Sequence, residues 1–407
     1  MALDIDFVRG QFPAFSEPSL EGQAFFENAG GSYTCKPVID RLTRFYTQRK
    51  VQPYAPYEAS TLAGTEMDEA RQRLAAILGV QTDEVSFGPS TTQNTYVLAQ
   101  AFRQFLSPGE AIIVTNQDHE ANSGPWRRLA EEGIEIREWK IDPLSGHLDP
   151  SALEDLLDEN VRLVCFPHCS NVVGEINPVT EITALCHAAG AFVCVDGVSY
   201  APHGLPNVDE LGPDIYLFSA YKTYGPHQGV MVIRRALGEL LPNQGHYFNG
   251  GVLYKRFTPA GPDHAQVAAS AGMADYIDAL CDHHGGPSEG AVARGAFVHD
   301  LMRAHEVELL QPLLDAVKDR NDLRLIGPSD AARRAPTVAV AINRPGEEVA
   351  KDLAAHGIMA GGGDFYAVRA LEAMGVNPDQ GVLRMSFTHY TSKNEVTRLI
   401  EALDRVL

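Results

Sequence analysis

The sequence predicts an α/β fold, a mostly parallel sheet in a large domain covered by helices on both faces, followed by a smaller α+β C-terminal domain. Three observations point there. Short β-branched runs alternate with helical segments from about residue 66 onward. Several runs, such as AIIVT and GVMVIR, are apolar almost throughout, as in strands buried on both faces. Polar groups gather where these runs end, at Ser90, Asn116 to His119, His168 to Asn171, Asp196, and Ser219 to Lys222. Sheets of this kind collect ligands beyond the carboxyl ends of their strands.

Taken in order, EMDEARQRLAAILGV reads as an amphipathic helix and EVSFG as a short strand. TQNTYVLAQAFRQFL is helical, and AIIVT is a buried strand. IEIREW, VRLVCF, AFVCVD, DIYLF and GVMVIR read as further strands, with the helix-like EITALCHAAG among them. Residues 236 to 285 are rich in Gly and Pro and read as irregular. A long helix is expected from near Pro287 through LMRAHEVELLQPLLDAVKD. After it LRLIG, TVAVAIN, GIMAG and LRMSFT alternate with helical EEVAKDLAAH and NEVTRLIEALDRVL. The expected division is 1–285 for the large domain and 286–407 for the small one.

The 407 residues carry 53 acidic against 33 basic side chains, a formal net charge of −20. That field opposes nucleic acid and anionic membrane surfaces, so neither is expected as a partner. Six cysteines, at 35, 165, 169, 186, 194 and 281, lie mostly in apolar runs without a CxxC pair and read as reduced, buried thiols. No run approaches the length of a membrane span, and MALDIDFVRGQFPAF has acids where a signal peptide has bases; a cytoplasmic location is expected.

The chemistry starts at FSAYKTYGPHQG, where Lys222 follows a buried strand and precedes a Gly-Pro-His turn. Asp196 ends the strand AFVCVD. A buried amine and a buried carboxylate on neighbouring strand ends are costly to keep. One chemistry needs both: the amine forms a Schiff base with an aldehyde cofactor while the carboxylate keeps a pyridine nitrogen protonated. The plain alternative is a solvated lysine beside a turn-capping aspartate. FGPSTTQNTYVLAQ places Ser90, Thr91 and Thr92 at a helix amino terminus, where hydroxyls and free N–H groups hold an anion or simply cap the helix. His119, in TNQDHEANSGPW, can stack on a flat ring or merely bond its loop. Arg384, in the apolar VLRMSFTHY, either pairs with a buried acid or reaches a ligand carboxylate. SAYK also spells the Ser-x-x-Lys of acyl enzymes, yet its companion SDN and KTG strings are absent. CDHHGG lacks metal-ligand spacing, so no metal is expected.

The ordered set resembles a family. FPHCSNVVGEINPVTEITALCHAAGAFVCVDGVSYAPHGLPNVDELGPDIYLFSAYKTYGPHQGVMVIRR resembles the core of the class V aminotransferase family, the cysteine desulfurase-like enzymes that use pyridoxal 5'-phosphate (PLP). STTQN is similar to its phosphate turn, DHEANSGPW to its stacking-histidine motif, and RMSFTHYTSKNEVTRLIEAL to its substrate-arginine strand and last helix. The resemblance covers about residues 7 to 407. It implies a fold type I PLP enzyme with a seven-stranded-type sheet, working as a homodimer on a small amino acid, with the first twenty or so residues packing on the small domain. It implies Lys222 as the Schiff-base lysine and α-carbon base, Asp196 as the pyridinium partner and His119 as the stacking ring. Ser90, Thr91, Thr92, Ser219 and Tyr221 are implied at the phosphate, with Asn171 and Ser199 near the cofactor hydroxyl. Arg384, Asn171 and Asn28 are implied at the substrate.

The chain departs from that pattern in four places. Desulfurases carry a persulfide cysteine on a small-domain loop, but GIMAGGGDFYAVRALEAMG contains none and no cysteine follows Cys281. Tyr221 stands where histidine precedes the lysine, and Ser199 where Gln or His follows the aspartate. Ala260, Gly261 and Pro262 replace the Gly-Thr-Pro turn that a neighbouring subunit offers to the phosphate. The expected activity is therefore carbon–sulfur lyase chemistry without the persulfide step, with transamination or epimerisation as alternatives.

Overall fold

The computed structural model describes residues 2–407. In chain order the strands are β1 (Ala24–Phe25), β2 (Val85–Gly88), β3 (Ala111–Thr115), β4 (Glu135–Trp139), β5 (Val161–Pro167), β6 (Phe192–Asp196), β7 (Ile215–Ser219) and β8 (Gly229–Ile233). They are followed by β9 (Arg324–Leu325), β10 (Thr337–Ala341), β11 (Ile358–Met359), β12 (Gly361–Gly363) and β13 (Val382–Ser386). Seven of these form one sheet in the order β2-β8-β7-β6-β5-β3-β4. β7, β6, β5, β3 and β4 run parallel, and β8 lies antiparallel to both its neighbours.

This order places the site. β3, β5, β6 and β7 end on the same side of the sheet, at Thr115, Pro167, Asp196 and Ser219. Their side chains are buried almost without exception, because helices cover both faces and leave no wet face to alternate with. The helix Thr91–Phe105 starts beside the ends of β7 and β8, capped by Ser90, whose hydroxyl accepts from the Gln93 N–H. Gly229, the first residue of β8, makes this approach possible: a Cβ there would sit 2.5 Å from the Ser90 carbonyl carbon.

The remaining strands form a four-stranded antiparallel sheet, β12-β13-β10-β9, and a parallel pair, β1-β11. The amino-terminal segment therefore runs beside C-terminal strands, and Glu27 bridges Ser386 at the end of β13. The residues before it pack both ways. Arg9 pairs with Glu395 of the last helix at 2.7 Å, while Phe12 lies edge-on against Tyr224, Tyr276 and Tyr390. A division near residue 285 remains our proposal. The helix Ala291–Lys318 serves both cores, Val298 and Met302 in the larger and Leu309 to Leu314 in the smaller.

Several elements differ from expectation. The first predicted helix begins at Glu58 rather than near residue 66 and ends at Leu78, where Gly79 takes the left-handed conformation. The stretch read as irregular contains helices at His264–Ala269 and Ala271–His283, packed on helices Lys36–Gln48 and Glu58–Leu78. Their alanines and glycines permit close contact and so hide the apolar periodicity: a Cβ on Gly272 would meet the Val38 backbone nitrogen at 2.5 Å. LRLIG shrinks to the two residues of β9. No helix among the described residues is long and apolar enough to cross a membrane.

Candidate active site

The strand ends and the helix amino terminus converge on one cavity. Ser90, Thr91, Thr92, His119, Asn171, Asp196, Ser199, Ser219, Tyr221 and Lys222 all line it. Thus ten of the residues singled out from sequence share one site. A second cavity, about 560 Å³, shares Thr92, His119, Asn171, Tyr221 and Lys222 with the first and adds Glu27, Tyr96, Glu120, Phe365, Tyr366 and Arg384.

Lys222 sits on a single 3-10 turn immediately after β7, and Asp196 ends the adjacent β6. Burial shifts both in the direction that disfavours charge. The amine falls to about 8, through desolvation first and the Arg384 charge second, with Asp196 pulling the other way. The Asp196 carboxyl rises to about 6, again through desolvation, partly offset by the Val198 N–H, which donates to Oδ1 at 2.8 Å, and by Lys222. Each feels the other's charge, so the two face a common space.

His119 caps the short turn Glu120–Asn122, its Nδ1 accepting from the Ala121 N–H at 3.0 Å. The proton of the neutral ring therefore lies on Nε2. Burial, followed by the Lys222 and Arg384 charges, lowers this imidazole to about 3, so it is an uncharged flat face at neutral pH. The loop beneath it is pinned by Asp118, which accepts from Thr115 at 2.5 Å and from Asn122 at 2.9 Å.

At the helix amino terminus, Thr91 and Ser219 share a hydroxyl hydrogen bond of 2.8 Å. Tyr221 stacks on His227 with ring centroids 4.6 Å apart. These residues fit PLP by the chemistry of their donors. Hydroxyls and free N–H groups at a helix start suit a phosphate. A buried carboxylate suits a pyridinium, a neutral imidazole suits a ring face, and a poised amine suits an aldehyde.

Two expectations change at the substrate end. Asn28 is not on either cavity wall: its Nδ2 donates to the Lys222 carbonyl at 3.4 Å and its Oδ1 accepts from the Tyr390 hydroxyl at 2.5 Å. Its amide bridges the lysine turn to Tyr390 and lies outside both cavities. Arg384 does line the larger cavity, but its Nη2 donates to Glu27 at 2.6 Å and its guanidinium lies 3.7 Å over the Phe365 ring. Of the two readings left open for this arginine, the pairing with an acid is the one observed. Sequence reading missed Glu27, although FFENAGG, with one acid between aromatic residues and a Gly-Gly turn, carried the signal. Asn171 donates through Nδ2 to the Phe365 carbonyl at 2.9 Å and leaves its Oδ1 unpartnered.

Comparison with known proteins gives the family. The model of the class V aminotransferases matches residues 24–261 and 294–399. The chain is 34% identical to the aminotransferase-like protein FGM3 of Gibberella zeae, with 100% of this chain and 99% of that one covered. It is 30% identical to a cysteine desulfurase of Serratia proteamaculans, at 100% and 99% coverage. Among solved structures, the apo cysteine desulfurase of Thermococcus onnurineus NA1 superposes with a TM-score of 0.86 at 23% identity, over 100% of this chain and 98% of that one. The Escherichia coli cysteine desulfurase CsdA gives 0.83 at 23% identity, over 100% and 99%. At that identity these two establish the fold alone. With a family model matching both halves of the chain and a full-length relative at 34% identity, the chain belongs to the class V aminotransferase family of PLP-dependent enzymes.

Proposed function

We propose that this enzyme is a cysteine desulfurase-like lyase that cleaves an amino acid at its β-carbon without a persulfide step, working as a cytoplasmic homodimer. The observation that carries the reading is the pair Lys222 and Asp196, a buried amine and a buried carboxylate facing one cavity from adjacent strand ends.

In this reading Asp196 would hold the pyridine nitrogen protonated, and His119 would offer its neutral ring as a stacking face. Ser90, Thr91, Thr92, Ser219 and Tyr221 would hold the phosphate, and Asn171 and Ser199 the ring hydroxyl. Lys222 is the covalent attachment point. When bound, PLP supplies an electron sink for the pair left at the substrate α-carbon. Arg384 grips the substrate carboxylate and so fixes which α-carbon bond faces Lys222. As the free amine, Lys222 would take the α-proton. The leaving group then departs from the β-carbon with the electrons of its bond, and hydrolysis of the remainder yields a keto acid and ammonia.

The cysteines support an outcome without persulfide. All six are buried and free. Cys169 touches the cofactor cavity, but burial pushes its thiol up to about 12 and its Sγ lies 3.3 Å from the Gly174 carbonyl oxygen. Six reduced thiols also suit a reducing compartment. A homodimer is supported by the exposed aromatic side chains Tyr54 and Phe248, which line a cavity of about 320 Å³ together with Ala260, Gly261 and Pro262. A class V aminotransferase or epimerase is the second reading, favoured by the 34% identity to an aminotransferase-like protein.

The test is Lys222→Ala together with a panel of amino acids offered to the wild-type enzyme. The variant is expected to lose both the visible absorbance of the bound cofactor and all turnover. An unchanged spectrum would remove Lys222 from its role. Release of pyruvate with a thiol or sulfide supports the lyase, whereas stoichiometric keto acid with an aminated cofactor selects the second reading.

A further inference from the structure

The larger cavity contains an unbalanced charge once a substrate enters it. Arg384 is 3% exposed, and its charge is already answered by Glu27. This pairing is built into the backbone. A Cβ on Gly30 would lie 2.8 Å from one Glu27 carboxylate oxygen, and a Cβ on Gly361 would lie 2.5 Å from the other. Phe365, which covers the guanidinium, has a left-handed backbone (φ 52°), as does Tyr366 (φ 56°), so the aromatic lid is held by a strained turn.

A substrate carboxylate arriving at Arg384 leaves one cation between two carboxylates in a poorly solvated space. The other walls offer no relief. The other basic residues lining the cavity are Lys222, which must be neutral to take the α-proton, and His119, which is neutral. Glu120 shares the cavity and is paired outward with Arg369.

Two of the three unpartnered atoms on these walls lean the same way, and the third, Arg384 Nε, is a donor left for the substrate carboxylate. Glu27 Oε2 is buried without a hydrogen-bond partner, and so is the Oδ1 of Asn171, a residue only 5% exposed. Both line the cavity and both are acceptors, so a ligand that satisfies them must bring donors. Tyr366 supplies a ring face of the kind that receives an ammonium or guanidinium, as Phe365 already does for Arg384 and Tyr96 for Arg128. Three features therefore coincide: surplus negative charge, orphan acceptors and aromatic walls.

From this convergence we infer that the substrate is an amino acid whose side chain ends in a cation, an amine or a guanidine, read by Glu27 and Asn171 while Arg384 holds the carboxylate. The inference rests on the proposed role of Arg384 and goes beyond it by naming the side chain. The cavity of about 560 Å³ leaves room for such a chain beyond the β-carbon.

The experiment is a spectral titration of the holoenzyme with two isosteric pairs, L-lysine against L-2-aminoheptanoate and S-(2-aminoethyl)-L-cysteine against S-propyl-L-cysteine. Dissociation constants come from the change in cofactor absorbance, and pyruvate release is followed separately. The cationic member of each pair is expected to bind at least about tenfold more tightly, and Glu27→Gln to shrink that advantage to about threefold or less. Equal affinity within both pairs overturns the inference, as does an advantage that survives unchanged in Glu27→Gln. Charge discrimination with no pyruvate from either cysteine derivative sinks the lyase reading and leaves this one standing.

Discussion

The hydroxyls of Thr91 and Ser219 lie 2.8 Å apart and join the first turn of the helix Thr91–Phe105 to the end of β7. The bond is buried, yet both groups line the cofactor cavity. Each hydroxyl has one donor and two acceptor positions, so one proton can turn toward an anion without breaking the pair. The bond thus fixes the spacing of a phosphate site before any phosphate arrives.

Removing either hydroxyl should weaken PLP binding. A hydrogen bond to a charged group contributes about 1.5–3 kcal/mol, or roughly ten- to a hundredfold in affinity. Thr91→Ala and Ser219→Ala are each expected to show a loss in that range, measured by cofactor release on dilution. Because the two share a bond, the double variant should lose less than the sum of the single losses. Full additivity would mean that the hydroxyls act independently.

The shifted groups of the site set a pH window for cofactor capture by the apoenzyme. Lys222 attacks an aldehyde only as the neutral amine, and burial brings its titration down to about 8. Capture should therefore accelerate as pH rises through 8. Asp196 holds a pyridinium only as the carboxylate, and burial raises its titration to about 6. Affinity should therefore fall as pH drops below 6. Stopped-flow absorbance after mixing apoenzyme with PLP reads both limbs. In Asp196→Asn the acidic limb should vanish while the limb near 8 remains. An acidic limb unchanged in that variant would assign it to another group.

How much of this was legible in the sequence depended on how local the signal was. β3, β6, β7 and β8 were recognisable because a parallel sheet covered on both faces requires unbroken apolar, β-branched runs. Asp196, Lys222 and the Ser90–Thr92 turn were recognisable because each follows such a run directly. Glu27 was not. Its partner Arg384 is 357 residues away, and the two meet only after β1 and β13 are aligned. Its neighbour Asn28 lies in the turn that starts at Glu27, and there the asparagine points toward Tyr390 instead of the cavity. β12 is three glycines whose role is steric: a Cβ at Gly362 would lie 2.2 Å from the Glu347 nitrogen. No propensity marks such a strand. The helices between His264 and His283 were obscured for the same reason, since small residues chosen for close packing carry little apolar contrast.

Away from the site, stability rests partly on a buried ion pair that links the large core to the long helix. His203 Nδ1 lies 2.9 Å from Glu306 Oε1, and Arg303 approaches the other oxygen at 3.3 Å. Burial alone would push the Glu306 carboxyl up, but the charge and hydrogen bond of His203 and the charge of Arg303 outweigh it and hold the group below its usual range. A carboxyl lowered on folding contributes fully above its unfolded value, and the contribution disappears as pH falls through the folded value. Glu306→Ala leaves Arg303 without its carboxylate and His203 without its hydrogen-bond partner in a buried setting, so it should cost about 3–5 kcal/mol in urea unfolding at pH 7. Glu306→Gln keeps the shape and isolates the charge. The gap between this variant and wild type should be largest at neutral pH and close below the ordinary glutamate range, about pH 4. A gap that stays constant down to pH 3 would show that shape, and not charge, holds this junction.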